Sequence, residues 1–177
     1  MTNWIYEVVY ALFFIFPAYA ANALPVVLGG GLRIDLRRKW FDGKPVFGSH
    51  KTIRGFVGGV IAGTLVSLAQ IWVFDSIAPS DFVLPFHFSV LLGFVVSLGA
   101  LLGDLVHSFV KRRINIAEGA PLPVADQLDF VVGAVLLSFL ASPPPVLTIV
   151  IVFVITLPTH LLTNAIAYLI GVKKAPS

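Results

Sequence analysis

Long apolar segments alternate with short charged ones along this chain, and this alternation restricts it to a membrane fold. Hydrophobic residues make up 58% of the chain and charged residues only 12%, against about half and about a quarter in soluble domains. A helix of about 20 apolar residues is long enough to cross a bilayer. Five segments fit this pattern, at residues 4–28, 56–74, 82–102, about 124–141 and 146–170. The sequence therefore predicts an all-α, polytopic integral membrane protein with five transmembrane helices in a single domain, residues 1–177.

The fourth segment places two acids near the membrane. Its purely apolar part, residues 130–141, extends about 18 Å as a helix, against a hydrocarbon core of roughly 30 Å. A spanning helix must therefore begin near Val124 and carry Asp126 and Asp129 in its first turns. Because acids within the membrane are costly and usually functional, we predict a functional role for both.

The cations predict the orientation of the chain in the membrane. All 12 Lys and Arg residues lie in the first loop, the third loop and the C-terminal tail, which five spans place on one side. The positive-inside rule makes that side cytoplasmic, so the N-terminus is predicted outside and the C-terminus in the cytoplasm. The cytoplasmic loops are then about 29–54 and 104–125. The N-terminal segment has no basic region of the signal-peptide type, and the absence of cysteine excludes disulfides and thiolate catalysis.

The third loop combines carboxylates with cations. If the third helix continues past Gly103, then Asp104, Ser108, Lys111 and Arg112 share one helical face. Asp126 and Asp129, three residues apart, share a face of the next helix. Two acidic helix ends that meet would offer oxygen ligands to Mg²⁺, and the neighbouring cations would bind phosphate oxygens. These are the parts that phosphoryl and nucleotidyl transfer require.

Simpler interpretations exist for several of these residues. The three cations at 111–113 are equally well explained as ordinary cytoplasmic flanking charge. Asp104 can be a solvated acid at a helix end, and for Glu118, in a Gly- and Pro-rich loop, a solvated acid is the preferred interpretation. His107 lies one residue off the Asp104 face and is assigned no role.

The first loop is basic and rich in glycine. It is not a P-loop, because Ser49 and His50 separate Gly48 from Lys51 and no strand precedes it. Its backbone N–H groups and Lys51 could cradle a triphosphate. The alternative, of about equal weight from charge alone, is a polybasic loop attracted to anionic headgroups.

These residues together resemble a known family. The elements are Gly103-Asp104, Ser108 and residues 111–113, then Gly119 and Pro123, then Asp-Gln-Leu-Asp-Phe at 126–130. They resemble the signature of the CDP-archaeol synthases, the archaeal branch of the CTP-dependent phosphatidate cytidylyltransferases. The chain lacks the Lys-Asp and His-Gly-Gly elements of the bacterial branch and has Gln127 where that branch usually has Arg. The likeness extends to the first loop, through Asn22, Pro25, 29–31, Asp35, 42–43, 47–48, 51–52 and Gly55.

The resemblance implies an activity. It is the transfer of CMP from CTP to the ether lipid 2,3-di-O-geranylgeranylglyceryl phosphate, with release of pyrophosphate. It implies catalytic roles for Asp104, Lys111, Asp126 and Asp129, with the three acids holding Mg²⁺, alone or with a second cation. It implies substrate binding by Asn22, Gly30, Gly31, Asp42, Lys44, Gly48, Lys51, Thr52, Ser108, Arg112, Arg113 and Gln127. The implied partners are CTP, the lipid phosphate and the bilayer, with no nucleic acid; the oligomeric state stays open.

Other functions remain as alternatives. A phosphatidate cytidylyltransferase acting on diacyl lipid would use the same residues. A CDP-alcohol phosphotransferase is disfavoured, because Asp42-Gly43 is followed by Lys-Pro-Val-Phe and not by that family's motif. A transport protein would carry acids at mid-membrane and in repeated halves, whereas here they cluster at one boundary without a repeat.

Overall fold

The computed structural model describes residues 4–77, 83–122 and 124–169, and their backbone forms five α-helices. These are α1 (Trp4–Leu28), α2 (Ile53–Ile77), α3 (Val90–Arg113), α4 (Ala125–Ser138) and α5 (Val146–Leu169). The all-α prediction is confirmed. By length and composition, α1, α2 and α3 can each cross a membrane, which supports an integral membrane fold.

Two helix boundaries matter for the site. The third helix begins at Val90 and not at residue 82, because residues 83–89 are not helical and the Ser89 hydroxyl caps the helix by accepting from the Leu92 amide at 3.2 Å. At its other end α3 continues past Gly103 to Arg113, as the shared face of acids and cations requires.

The fourth helix begins at Ala125, so the predicted start near Val124 is confirmed, and its first turns carry Asp126 and Asp129. It has 14 residues, or about 21 Å at 1.5 Å per residue. This is less than the roughly 30 Å of the hydrocarbon core, so the helical residues of α4 cover only part of a full span. The described side chains of α5 contribute the apolar stretch Val146–Thr159, which is also shorter than a full span.

The first helix packs against all four others. Its buried face, with Phe14 and Ile15, meets Leu92 and Val96 of α3 and Phe130 of α4 in one apolar core. The Tyr19 hydroxyl lies 2.9 Å from that of Thr156, which joins α1 to α5. The core therefore fixes the helices around one centre, and the polar loops gather at the end where α3 finishes and α4 begins.

The closest helix contact joins α3 to α4 and is made by glycines. Gly99 and Gly103 of α3 face Gly133 of α4, and a Cβ on any of the three would overlap backbone atoms of the facing helix. Small residues of this kind let membrane helices approach backbone to backbone. Since Gly103 also touches the carbonyl of Asp129, the same contact brings the acidic ends of the two helices together.

This contact predicts an unusual response to a small substitution. Gly133→Ala should lower the free energy of unfolding by about 1–3 kcal/mol, because the methyl group has only backbone in front of it. In an unobstructed helix the same change stabilises by about 1 kcal/mol. Thermal unfolding in detergent measures the difference. The matched control is Gly58→Ala in α2, whose methyl would meet only the flexible end of Leu28. Equal melting temperatures for the two variants would contradict the proposed packing.

Candidate active site

The first loop, between α1 and α2, is folded around one buried carboxylate. Asp35 accepts hydrogen bonds from the backbone amides of Arg37 at 3.0 Å, Phe47 at 3.3 Å and Gly48 at 3.4 Å. At the base of the loop, the Ile34 amide donates to the Lys51 carbonyl at 2.9 Å. The carboxylate thus supplies acceptors for three backbone amides that the loop does not pair with its own carbonyls. The loop therefore holds Lys51 in a fixed place just before α2.

Lys51 is paired with the first of the predicted acids. Its Nζ lies 2.6 and 2.5 Å from the two carboxylate oxygens of Asp104 on α3. Both side chains are about one quarter exposed, so the pair faces a solvent-accessible space. The contact joins the first loop to the third helix across 53 residues of sequence.

Asp126 is held by partners from three directions. The Lys111 Nζ donates to its two oxygens at 2.7 and 2.9 Å, and the His107 Nε2 lies 2.6 Å from Oδ1. The Leu122 amide donates to Oδ2 at 2.7 Å. A histidine three residues after Asp104 and four before Lys111 thus belongs to the site, contrary to the assignment of no role to His107.

Asp129 has fewer donors around it. The amide of the next residue, Phe130, donates to its Oδ1 at 2.6 Å, and it experiences the negative charges of both Asp104 and Asp126. The three acids line one cavity. The structure therefore brings together the three carboxylates that the sequence singled out, with Lys51 and Lys111 as their counterions.

Two adjoining cavities meet at the Lys51–Asp104 pair. The larger, about 790 Å³, lies between α1, α2 and the first loop, and apolar side chains such as Val26, Phe56 and Leu101 form part of its wall. The smaller, about 280 Å³, contains the three acids with Ser108, Lys111 and Arg112. His50, Lys51 and Asp104 line both cavities. Two bound molecules could thus contact each other at this shared wall.

Carboxylate oxygens are the donors that Mg²⁺ prefers, so the chemistry of the three acids fits a divalent cation. In the structure, however, two of the three acids are paired with lysines: the ammonium group of Lys51 contacts Asp104, and that of Lys111 contacts Asp126. In the part of the chain that the structure describes, no group of three or more His, Asp or Glu side chains is arranged as a metal site. A cation would enter only as the lysines turn away from the acids.

Most of the predicted substrate-binding residues line a cavity. The larger cavity includes Asn22, Gly30, Gly31, Lys51 and Thr52, and the smaller includes Gly48, Lys51, Ser108 and Arg112. Gly30 and Gly31 have φ of +107° and +80°, which other residues rarely adopt. Thr52 also caps α2, since its hydroxyl accepts from the Gly55 amide at 3.2 Å. Gln127 lines neither cavity, and Pro123 lies outside the described residues.

Three predicted residues form a separate cluster that lines neither cavity. The Arg113 Nε lies 3.2 Å from an Asp42 oxygen, and Lys44 donates to the Arg113 carbonyl at 3.2 Å. Arg113 also donates to the Pro45 carbonyl and lies 4.7 Å over the Phe109 ring. The structure thus places Asp42, Lys44 and Arg113 where they fasten the tip of the first loop to the end of α3.

Sequence reasoning also missed residues at the site. Arg33 and Arg37 line the larger cavity, and no feature of a uniformly basic loop separates them from their neighbours. Glu118 accepts hydrogen bonds from both the hydroxyl and the amide of Ser49. These bonds from Ser49 hold the pKa of Glu118 below its usual value. Glu118 is exposed, in agreement with the expectation of a solvated acid, but it is also hydrogen-bonded to Ser49, which the sequence does not predict.

Comparison with known proteins identifies relatives across the whole chain. The family model described as CarS-like, CDP-archaeol synthase, matches residues 2–177. A CDP-archaeol synthase of Methanocaldococcus jannaschii is 42% identical over 171 residues, which are 95% of this chain and 97% of that protein. A second, of Methanopyrus kandleri, is 45% identical over 168 residues, 93% of this chain and 91% of that protein.

A solved structure shares the fold. It is described as an intramembrane enzyme for archaeal membrane lipids biosynthesis, and it matches with a TM-score of 0.75 and 34% identity. The match covers 87% of this chain and 92% of that chain. The helix arrangement described above is therefore that of an enzyme which works within a membrane.

Proposed function

The chain belongs to the CDP-archaeol synthase family, and from this membership we propose how its two cavities carry out cytidylyl transfer. It is a CTP-dependent cytidylyltransferase of archaeal ether-lipid synthesis. The proposed reaction joins CMP from CTP to 2,3-di-O-geranylgeranylglyceryl phosphate, giving an unsaturated CDP-archaeol and pyrophosphate. The observation that carries the proposal is the Lys51–Asp104 pair in the wall common to both cavities.

The chemical step needs positioning more than proton transfer. An oxygen of the lipid phosphate attacks the α-phosphorus of CTP, a new P–O bond forms, and the bond to the bridging oxygen breaks as pyrophosphate leaves. The lipid phosphate is already ionised at neutral pH, so no strong general base is required. Catalysis then consists of in-line alignment and neutralisation of charge on the phosphates. The shared wall is where the two phosphates would meet.

The cations of the site suit phosphate oxygens. Lys51 and Lys111 present ammonium groups to the cavities, and Arg112 is buried with an exposed fraction of 8%. Its guanidinium donates to the Ala117 carbonyl at 3.2 Å, while its Nε has no hydrogen-bond partner among the described residues. A buried donor without a partner costs free energy that a bound phosphate would recover.

Asp104, Asp126 and Asp129 would hold Mg²⁺, and a second cation if two are used. When bound, the metal would neutralise charge on the CTP phosphates. Lys51 and Lys111 keep the acids compensated before substrate arrives and would then transfer their hydrogen bonds to phosphate oxygens. The acids are therefore proposed as the metal ligands. The two lysines are proposed to leave the carboxylates and bind the phosphates.

Pyrophosphate release by the purified protein in detergent tests the function. We expect release with Mg²⁺, CTP and the geranylgeranyl ether lipid phosphate, and none when ATP replaces CTP or when EDTA removes the metal. Diacyl phosphatidate in place of the ether lipid distinguishes the alternative lipid specificity. Asp126→Asn should abolish release, because it removes a metal ligand while its amide oxygen can still accept from the Leu122 amide. Full turnover by a folded Asp126→Asn variant would contradict the metal assignment.

Lys51→Gln tests the proposed role of the lysines in binding phosphate. We expect pyrophosphate release to fall at least about tenfold, because the side chain loses its charge at the shared wall. The matched control is Lys39→Gln, the same change at an exposed position of the same loop. If the loop served only to attract anionic headgroups, the two variants would lose activity equally. Parallel kcat and KM measurements on both variants decide between these outcomes.

We further propose that the chain is one membrane domain with five crossings, its N-terminus outside and loops 29–54 and 104–125 in the cytoplasm. The distribution of Lys and Arg supports this orientation. Since the chain has no cysteine, a cysteine introduced at one position is the only thiol available for labelling, and its labelling shows which side of the membrane that position faces. In intact cells, a membrane-impermeant maleimide should label Ser76→Cys and not Phe41→Cys, although Phe41 is 97% exposed. Labelling of Phe41→Cys and not of Ser76→Cys would indicate the opposite orientation.

A further inference from the structure

Glu118 lies in the segment between α3 and α4 and contacts the first loop. Its Oε2 accepts from the Ser49 amide at 3.1 Å and also from the Ser49 hydroxyl. The two residues are 69 positions apart in sequence. Gly48, next to Ser49, lies against the Glu118 side chain so closely that an added Cβ would sit 3.1 Å from the carboxyl carbon. One carboxylate thus contacts two consecutive residues of the other loop.

The loop that carries Glu118 is itself held firmly. Lys111 donates to the Ala120 carbonyl at 2.7 Å, and Arg112 donates to the Ala117 carbonyl at 3.2 Å. Both cations belong to α3, and both side chains are buried. Glu118 therefore projects from a short segment that is fastened on either side to the helix of the site.

The contact between Glu118 and Ser49 lies close in sequence to Lys51, one member of the Lys51–Asp104 pair. Ser49 is two residues before Lys51, whose ammonium group must reach Asp104 at the wall between the cavities. Downstream, the Ile53 amide donates to the Leu32 carbonyl at 2.9 Å and holds the segment at its other end. Upstream, Gly48 has φ of +112° and its amide donates to Asp35 at 3.4 Å, the longest of the three bonds to that carboxylate. Glu118 adds a second restraint on that side, at Ser49.

We infer that Glu118 is a positioning residue for the transfer reaction: by binding both donors of Ser49, it sets the path of residues 48–52 so that Lys51 meets Asp104. This inference rests on the proposed function for its kinetic consequences, since Lys51 acts in the proposed site. Glu118 lines the smaller cavity, and its carboxylate accepts hydrogen bonds from Ser49, two residues before Lys51. Its effect on catalysis is therefore an effect on geometry.

Glu118→Ala tests the inference with two independent measurements. Hydrogen–deuterium exchange at residues 48–52 should become faster, because Ser49 loses its acceptor. In the pyrophosphate assay kcat should fall about tenfold, while the melting temperature in detergent stays at the wild-type value. Glu118→Gln, whose amide oxygen can still accept from Ser49, should recover part of kcat. Asp75→Ala removes an exposed acid from α2 and should change none of these quantities.

A double substitution separates positioning from independent effects. If Glu118 acts through Ser49, the variant with both Ser49→Ala and Glu118→Ala should be no slower than Glu118→Ala alone. Losses that multiply, or unchanged exchange at residues 48–52 in Glu118→Ala, would overturn the inference. A fall in melting temperature that accounts for the lost activity would also overturn it. If the wild type itself released no pyrophosphate, the proposed function would fail, and the exchange measurement alone would decide the role of Glu118.

Discussion

The approach of α3 to α4 through glycine is the constraint on which the site depends. Gly103 immediately precedes Asp104, and it touches the carbonyl of Asp129 on the facing helix. Gly133 lies about one turn beyond Asp129 and fits against the backbone of Gly99 and Gly103. A larger residue at any of these glycines would separate the helices and, with them, the acids. The same glycines therefore determine both how the membrane helices pack and how far apart the carboxylates lie.

Once the acids are brought together, their charges must be compensated. Lys51 comes from the first loop and Lys111 from the last turn of α3, and each pairs with one carboxylate. Removing an ionised group from water is expensive unless a partner or hydrogen bonds replace the solvent. Lysine suits this role, because its ammonium is a compact charge on a flexible stem that can change partners. In the proposed reaction, the lysines of these pairs would turn from the carboxylates to the phosphates.

Much of this architecture follows from local pattern, and some of it does not. The helices, the continuation of α3 past Gly103 and the acidic start of α4 follow from apolar periodicity and from the length needed near a membrane. The partners of Glu118 and His107 do not, because each contact joins residues whose distance in sequence says nothing of their distance in space. The sequence predicts too early a start for α3, because a short apolar run such as that before Ser89 is compatible with either a helix or an extended segment.

The cations show most clearly what pattern alone leaves undecided. In sequence, the basic residues of the first loop and of the end of α3 form one class, and charge flanking a membrane helix explains them all. In the fold they divide by contact: Lys51 and Lys111 pair with acids, Arg113 fastens the loop tip, and Lys39 is exposed. Orientation in the membrane depends on the number of such charges, whereas chemistry depends on where each one lies. One set of residues can therefore satisfy both requirements, and the contacts of each cation in the fold distinguish one from another.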